Sequence, residues 1–335
     1  MDPLTQGVLG AALPQAAARR STAAVAGLLG LVAGMSADLD VLIRSSSDPL
    51  LFLEYHRQFT HSLIFIPLGG LLCALLLHFP IGKRRQLTFY QTLLFCTMGY
   101  ATHALLDACT SYGTVLFWPF SDVRIAWNTI SIIDPLFTLP ILVLVVLAGI
   151  RRRPVFARVA LAWGVVYMGL GLWQRNQAMD MGYEIARSRG HTPIRLEAKP
   201  SFANLLVWKI VYETEHRFYV DAVRAGWSPQ VFPGSSLEKL DIERDLPWLD
   251  RNSQQARDIE RFRWFSDGYI ARDLEHENRI IDIRYSIIPN EVAPLWSIEL
   301  RLDAAADEHV NYLIHRDISG DRAAIMRAMV VGSSR

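Results

Sequence analysis

Cysteine is scarce: the 335 residues hold only Cys73, Cys96 and Cys109. With no CxxC pair, a disulfide framework and a thiolate metal knuckle are both excluded. Excess charge of one sign is also missing. The formal net charge is +1, which gives no footprint of a nucleic-acid binder, and no nucleic-acid partner is expected. No P-loop, GxSxG elbow, repeat or low-complexity run is present. Charge of either sign is sparse in the first half alone. Up to Gln174 there are 12 Lys/Arg and 8 Asp/Glu, against 22 and 25 from Arg175 onward. The first half is too apolar for an ordinary soluble domain, and the second is too polar to cross a bilayer. A plain soluble enzyme, a disordered chain and a protein built wholly of spanning helices are therefore excluded.

A spanning helix needs about 20 mostly apolar residues. Five stretches qualify or nearly qualify: Thr22–Ile43, Ser62–Ile81, Thr88–Thr110, Ile132–Ile150 and Ala157–Trp173. Leu4–Ala18 is a weaker, shorter sixth candidate, broken by Pro14. It lacks the basic start of a signal peptide and is read as retained. The expected architecture is a polytopic α-helical membrane domain over 1–174, with about five spans, followed by a soluble α+β domain over 175–335.

The short loops set an orientation. Arg19, Arg20, Lys83, Arg84, Arg85, Arg151, Arg152, Arg153 and Arg158 share one side if the five spans alternate. The other side receives only Arg44, Arg57 and Arg124. The positive-inside rule puts the richer side in the cytoplasm. Everything after Trp173 is then outside, in the periplasm of a bacterium with two membranes.

Polar residues gather at the outer ends on that map. Asp38 and Asp40 close the first span, His56 and Arg57 follow in the loop, and His61 opens the second. His103 and Asp107 end the third, and Asp134 begins the fourth. A carboxylate at a span's centre costs roughly 2.5–3.5 kcal/mol on insertion scales. Several on one level point to a bound cation. His103 and Asp107, at i and i+4, share a helix face. Asp38 and Asp40, at i and i+2, can serve one site only where the helix has ended or loosened. Imidazole with carboxylate is the usual ligand set of Zn²⁺, and also suits Mn²⁺ or Fe²⁺. His61, His103, Asp107 and Asp40 are the favoured ligands, with His56 as a fifth or, with Asp38, part of a second metal site. Asp38 is otherwise the candidate base. Arg57 and Arg124 read either as interfacial charges or, if they face the site, as groups that bind phosphate or carboxylate. Asp48 and Glu54 read as solvated loop charges.

Further motifs complete the pattern: MDPLTQGVLGAAL at 1–13, ADLDVL at 37–42, HRQFTHS at 56–62, HALLDACTSYGT at 103–114, WPFS at 118–121 and SIIDPLFT at 131–138. Together they resemble the bacterial inner-membrane metal-dependent hydrolases described as LexA-regulated, over roughly residues 1–175. The resemblance implies a membrane-embedded hydrolase whose metal is held by residues matching Asp40, His56, His61, His103 and Asp107, with Asp38 and Asp134 as companions. One departure stands out: many relatives carry Thr-His-Gly near the start, where this chain has Thr5-Gln6-Gly7.

In the polar half, Arg175–Arg189 reads as a continuation of the last span. Leu205–Trp208 and Lys209–Arg224 suggest two strands around a turn near Glu213–Arg217. Pro247–Phe265 has helical spacing. Gly268–Arg272, Arg279–Ile288 and Leu295–Leu302 alternate as strands of one antiparallel sheet, and Asp321–Val331 reads as a closing helix. His216, His276, His309 and His315 read as surface or hydrogen-bonding groups.

The sequence thus favours a metal-dependent hydrolase at the outer face of the inner membrane. It would use a metal-activated water on a lipid-like or amphiphilic substrate reaching the site sideways. The alternatives are a non-catalytic metal-binding or ion-carrying membrane protein, and an interaction protein that the spans merely anchor. Crowding of the polar groups at one end, without an inverted repeat of broken helices, weighs against transport.

Overall fold

A computed structural model describes residues 1–315 and 320–332. The chain divides into two compact units. The first comprises Met1–Leu42, Tyr55–Leu172 and Phe202–Asn204, and the second Ile43–Glu54, Trp173–Ser201 and Leu205–Arg335. Phe202–Asn204 thus goes with the apolar first unit, and Ile43–Glu54 with the polar second. For Ile43–Glu54 the reason is electrostatic. Asp48 and Glu54 are not solvated loop charges, because both pair with Arg261, at 2.8 and 2.5 Å.

Seven helices lead the chain: α1 (Pro3–Ala17), α2 (Ala23–Met35), α3 (Leu51–Tyr55), α4 (Ile66–Leu77), α5 (Phe89–Cys109), α6 (Pro135–Arg151) and α7 (Pro154–Ser188). Three helical stretches are long and apolar enough to cross a membrane: Ala23–Leu42, Leu63–Arg85 and Pro154–Ser188. The segment expected as the third span is a helix, α5, that is not among these three, and the one expected as the fourth is the shorter apolar α6. Local signals explain the boundaries. Thr88 and Gln91 form a reciprocal capping box at the start of α5. Asp134 caps α6, with Pro135 at the first helical position, where its missing N–H costs nothing. After α2 the chain tightens into a 3₁₀ helix over Ser36–Leu42. The α-helix has thus ended before Asp38 and Asp40, as their sharing of one site requires.

Glycines let three helices of the first unit approach almost backbone to backbone. A Cβ on Gly99 of α5 would come within 2.4–2.9 Å of the Gly30 backbone in α2. One on Gly30 would meet the Gly10 carbonyl of α1 at 2.2 Å, and one on Gly34 would meet the Gln6 carbonyl at 2.8 Å. No larger residue fits these crossings, in keeping with the small-residue interfaces of membrane helices. The same closeness seats α1 in the bundle, with Thr5, Gln6 and Gln15 buried.

In the second unit, β1 (Arg195–Pro200), β2 (Val207–Glu213), β3 (Arg217–Arg224), β4 (Gln230–Phe232) and β5 (Ser236–Glu238) form one antiparallel sheet. Its order is β1-β2-β3-β4, with β5 also on β3. Two helices follow, α8 (Ile242–Asp245) and α9 (Gln254–Phe265). The second sheet is β6 (Ile270–Arg272), β7 (Arg279–Asp282), β8 (Trp296–Glu299) and β9 (Asn311–Ile314), in that spatial order, and α10 (Gly320–Val331) follows it. Val211, Phe218 and Val220 from the first sheet share a core with Tyr269, Ala271 and Ile281 from the second. The expected β2–β3 hairpin is present, and the strands expected in one sheet do pair with each other, but a second sheet faces them. The helix expected from Pro247 starts later, where the Ser253 side chain accepts from the Ala256 N–H.

Replacing Gly30 by alanine should lower the thermal midpoint of the detergent-solubilised protein by several degrees. Gly169→Ala, whose Cβ meets nothing within 4 Å, should leave it unchanged or raise it, since alanine is the better helix former by about 1 kcal/mol. Equal midpoints for the two variants would refute the close-crossing account.

Candidate metal centre

Four residues from three segments of the first unit meet at one point. Asp38 comes from the 3₁₀ helix after α2, and His61 from a second 3₁₀ turn, Phe59–His61. His103 and Asp107 come from the last turns of α5. One donor atom from each lies within 4.8 Å of all the others. His61 Nε2 is 2.9 Å from His103 Nε2. Asp38 Oδ1 is 3.5 Å from His61 Nε2 and 3.4 Å from His103 Nε2. Asp107 Oδ2 is 3.2 and 3.5 Å from the same two nitrogens. Four N and O donors around zinc at about 2.0–2.1 Å stand about 3.3 Å apart at the edges of their tetrahedron. These five separations scatter around that value.

The proton positions sharpen the case. His103 Nδ1 faces the Gly34 carbonyl at 2.5 Å, and only an N–H can satisfy a carbonyl. His61 Nδ1 lies 3.2 Å from Asp40 Oδ2 and 2.9 Å from the Thr60 hydroxyl, and that hydroxyl itself donates to Asp40 at 2.7 Å. Both Nδ1 atoms therefore carry the hydrogen, as the assignment from partners requires. In neutral rings both Nε2 lone pairs then point at each other and at two carboxylate oxygens. Asp107 Oδ2 is buried and accepts no well-directed hydrogen bond. Such a pocket is suited to a cation.

The surroundings orient these groups. Gln6 Nε2 donates to Asp107 Oδ1 at 2.9 Å, and the Met1 amine donates to the same oxygen. Arg57 Nε is 3.2 Å from Asp107 Oδ2, and its Nη1 donates to Thr110. Asp40 accepts from the Arg57 N–H at 2.9 Å and meets His56 Nδ1 at 2.7 Å. Arg57 sits at φ +64°, a left-handed conformation costly for a side-chain-bearing residue. The Asp40 hydrogen bond and the carbonyl of Arg57, which accepts from Val115 N–H at 2.9 Å, hold it there. Tyr100 OH donates to the Thr60 carbonyl, tying the loop to α5.

Placement departs from expectation at four residues. Asp38 takes the ligand position expected of Asp40, and Asp40 stands behind His61. His56 joins Asp38 and Asp40 in a second group of potential ligands. Arg57 is turned to Asp107. Asp134 lies outside both groups: it accepts from the Leu136 and Phe137 N–H groups and from Tyr167 OH at 2.8–2.9 Å. Arg124 donates to the His56 and Gly113 carbonyls, so its guanidinium braces the loop. Gln6 was legible only as a departure from the His of related chains. Its amide serves Asp107 as a donor.

His103→Ala and Asp107→Asn should each reduce the metal retained by purified protein by about 10–100-fold or more, whereas Asp134→Asn should retain it. Elemental analysis after gel filtration checks this. Equal metal content in all three would remove the assignment.

The model of the YdjM inner membrane protein family matches residues 1–178. Inner membrane protein YbcI of Escherichia coli (strain K12) is 33% identical over 108 residues, covering 31% of this chain and 60% of that protein. The chain therefore spans less than two thirds of this curated relative. No solved structure matches. The match covers both potential ligand groups and more than half of the sequence: the chain belongs to the YdjM inner membrane protein family.

Proposed function

We propose that this protein is a metal-dependent hydrolase embedded in the inner membrane, acting at its outer face on a lipid-like or amphiphilic substrate. The observation that carries the reading is the pair of imidazole Nε2 atoms 2.9 Å apart with both Nδ1 atoms occupied elsewhere. Asp38, His61, His103 and Asp107 would hold the ion, and the N₂O₂ donor set favours zinc, with manganese or iron as alternatives. A divalent metal held there would supply an activated water near neutral pH and would polarise the scissile group.

The chain's own residues supply the rest. Asp40 accepts the Nδ1–H of His61, and the Gly34 carbonyl that of His103. Each bond fixes a tautomer and ring orientation, the usual role of groups behind a metal ligand. Gln6 and Arg57 hold the two oxygens of Asp107. His61, His103 and Asp107 are wholly buried, while the Asp38 side chain is 22% exposed. Substrate would therefore approach on the Asp38 side. The exposed apolar flanks Leu39, Leu42 and Ile64 suit an acyl chain arriving laterally.

The orientation rests on basic residues. Lys83–Arg85 and Arg151–Arg153 belong to the cytoplasmic side under the positive-inside rule, with about five crossings and the second unit in the periplasm. Reporter fusions after Arg85 and after Gly226 should then report opposite compartments, and two cytoplasmic reporters would overturn the topology. For activity, phospholipid, lysolipid and N-acyl lipid pools incubated with wild-type protein should show a depleted species by mass spectrometry. Asp107→Asn should insert normally but turn that lipid over at least about 100-fold more slowly. Equal turnover would exclude this cluster as the active site. Metal-dependent ion flux in proteoliposomes, without turnover of any lipid, would favour an ion-carrying protein.

A further inference from the structure

We propose that the centre holds two divalent cations, the second on Asp38, Asp40 and His56, with Asp38 shared between them. The proposal rests on the reading of the first four residues as a metal site and adds a second ion to it. One donor atom each from Asp38, Asp40 and His56 lies within 4.8 Å of the other two. Asp38 belongs to both groups. Its Oδ1 faces His61 and His103, which leaves the other carboxylate oxygen for a neighbouring ion.

Asp40 supplies the independent observation. Its side chain is wholly buried. Oδ2 is engaged by the Arg57 N–H and the Thr60 hydroxyl, with His61 Nδ1 close by. Oδ1 faces His56 Nδ1 at 2.7 Å. Among the described residues, its ion pairs are with imidazoles alone. The nearby Arg57 side chain is directed to Asp107 instead. A buried carboxylate without a Lys or Arg partner is costly unless another cation compensates it.

The two groups differ in access. Three of the four residues in the first are wholly buried, whereas His56 is 31% and Asp38 22% exposed. The second ion therefore lies on the solvent side and exchanges more readily than the first. Two ions there would supply the paired charge stabilisation that two-metal hydrolases use on phosphoesters and on peptides.

The test uses full-length protein in detergent, stripped with chelator, reloaded with Mn²⁺ and freed of unbound ion. Wild type should retain two Mn²⁺ per chain, and His56→Ala one. At two equivalents, wild type should give the electron paramagnetic resonance spectrum of an exchange-coupled manganese pair, and His56→Ala that of isolated Mn²⁺. Should His56→Ala fail to insert, the wild-type spectrum alone decides. One ion per chain in both proteins, without coupling, would overturn the second site and leave the first intact. Two ions in both would remove His56 from it. No retained ion in wild type would overturn both readings.

Discussion

Two imidazole nitrogens face each other across 2.9 Å, and much of the first unit serves to keep them there. Left alone, two neutral rings with their hydrogens on the far nitrogens would turn apart, since lone pairs and carboxylate oxygens repel at that range. They are prevented on both sides. His103 is tied to the carbonyl of Gly34 and His61 to Asp40, while the rings meet edge to face at 4.6 Å between centroids. The arrangement suits a positive charge at that point, a demand that the proposed metal ion would meet.

The helix crossings follow from that demand. His103 reaches the Gly34 carbonyl only because α5 lies against α2 at Gly99 and Gly30, where neither helix carries a side chain. One turn separates Gly99 from His103 and one turn separates Gly30 from Gly34, so the same close approach sets both the crossing and the hydrogen bond. The 3₁₀ segment Ser36–Leu42 does comparable work for the carboxylates. At about three residues per turn, Asp38 and Asp40 lie about 120° apart, closer than in an α-helix. One can then enter the cluster while the other passes behind His61. Packing, local helix type and site chemistry are thus one constraint expressed at three scales.

Much of the site was readable from the residues because burying a carboxylate in an apolar segment is expensive. Asp38, His61, His103 and Asp107 stood out for that reason, and the spacing of His103 and Asp107 put them on one face. The exchange of Asp38 for Asp40 was not readable. Which of two carboxylates enters depends on the pitch of a short 3₁₀ helix, and the residues there carry no signal that separates it from an α-helical end. Asp134 was expected beside the site and instead caps α6, because an N-cap and a site carboxylate look alike in sequence: both are acids at the start of an apolar run. Asp48 and Glu54 looked solvated because their partner, Arg261, lies more than 200 residues away. In the second unit the β2–β3 hairpin and the β6–β8 strands were legible from alternation. The short outer strand β9 was not, since it buries little and shows no clean period. The first residue of α9 was set by the cap at Ser253, not by Pro247.

X-ray absorption at the zinc edge of the reconstituted full-length protein tests the central claim most directly. Nitrogen and oxygen neighbours at about 2.0–2.2 Å, with outer-shell scattering from two imidazoles that weakens in His103→Ala, is the predicted result. A spectrum without imidazole scattering, or one unchanged in His103→Ala, would contradict it.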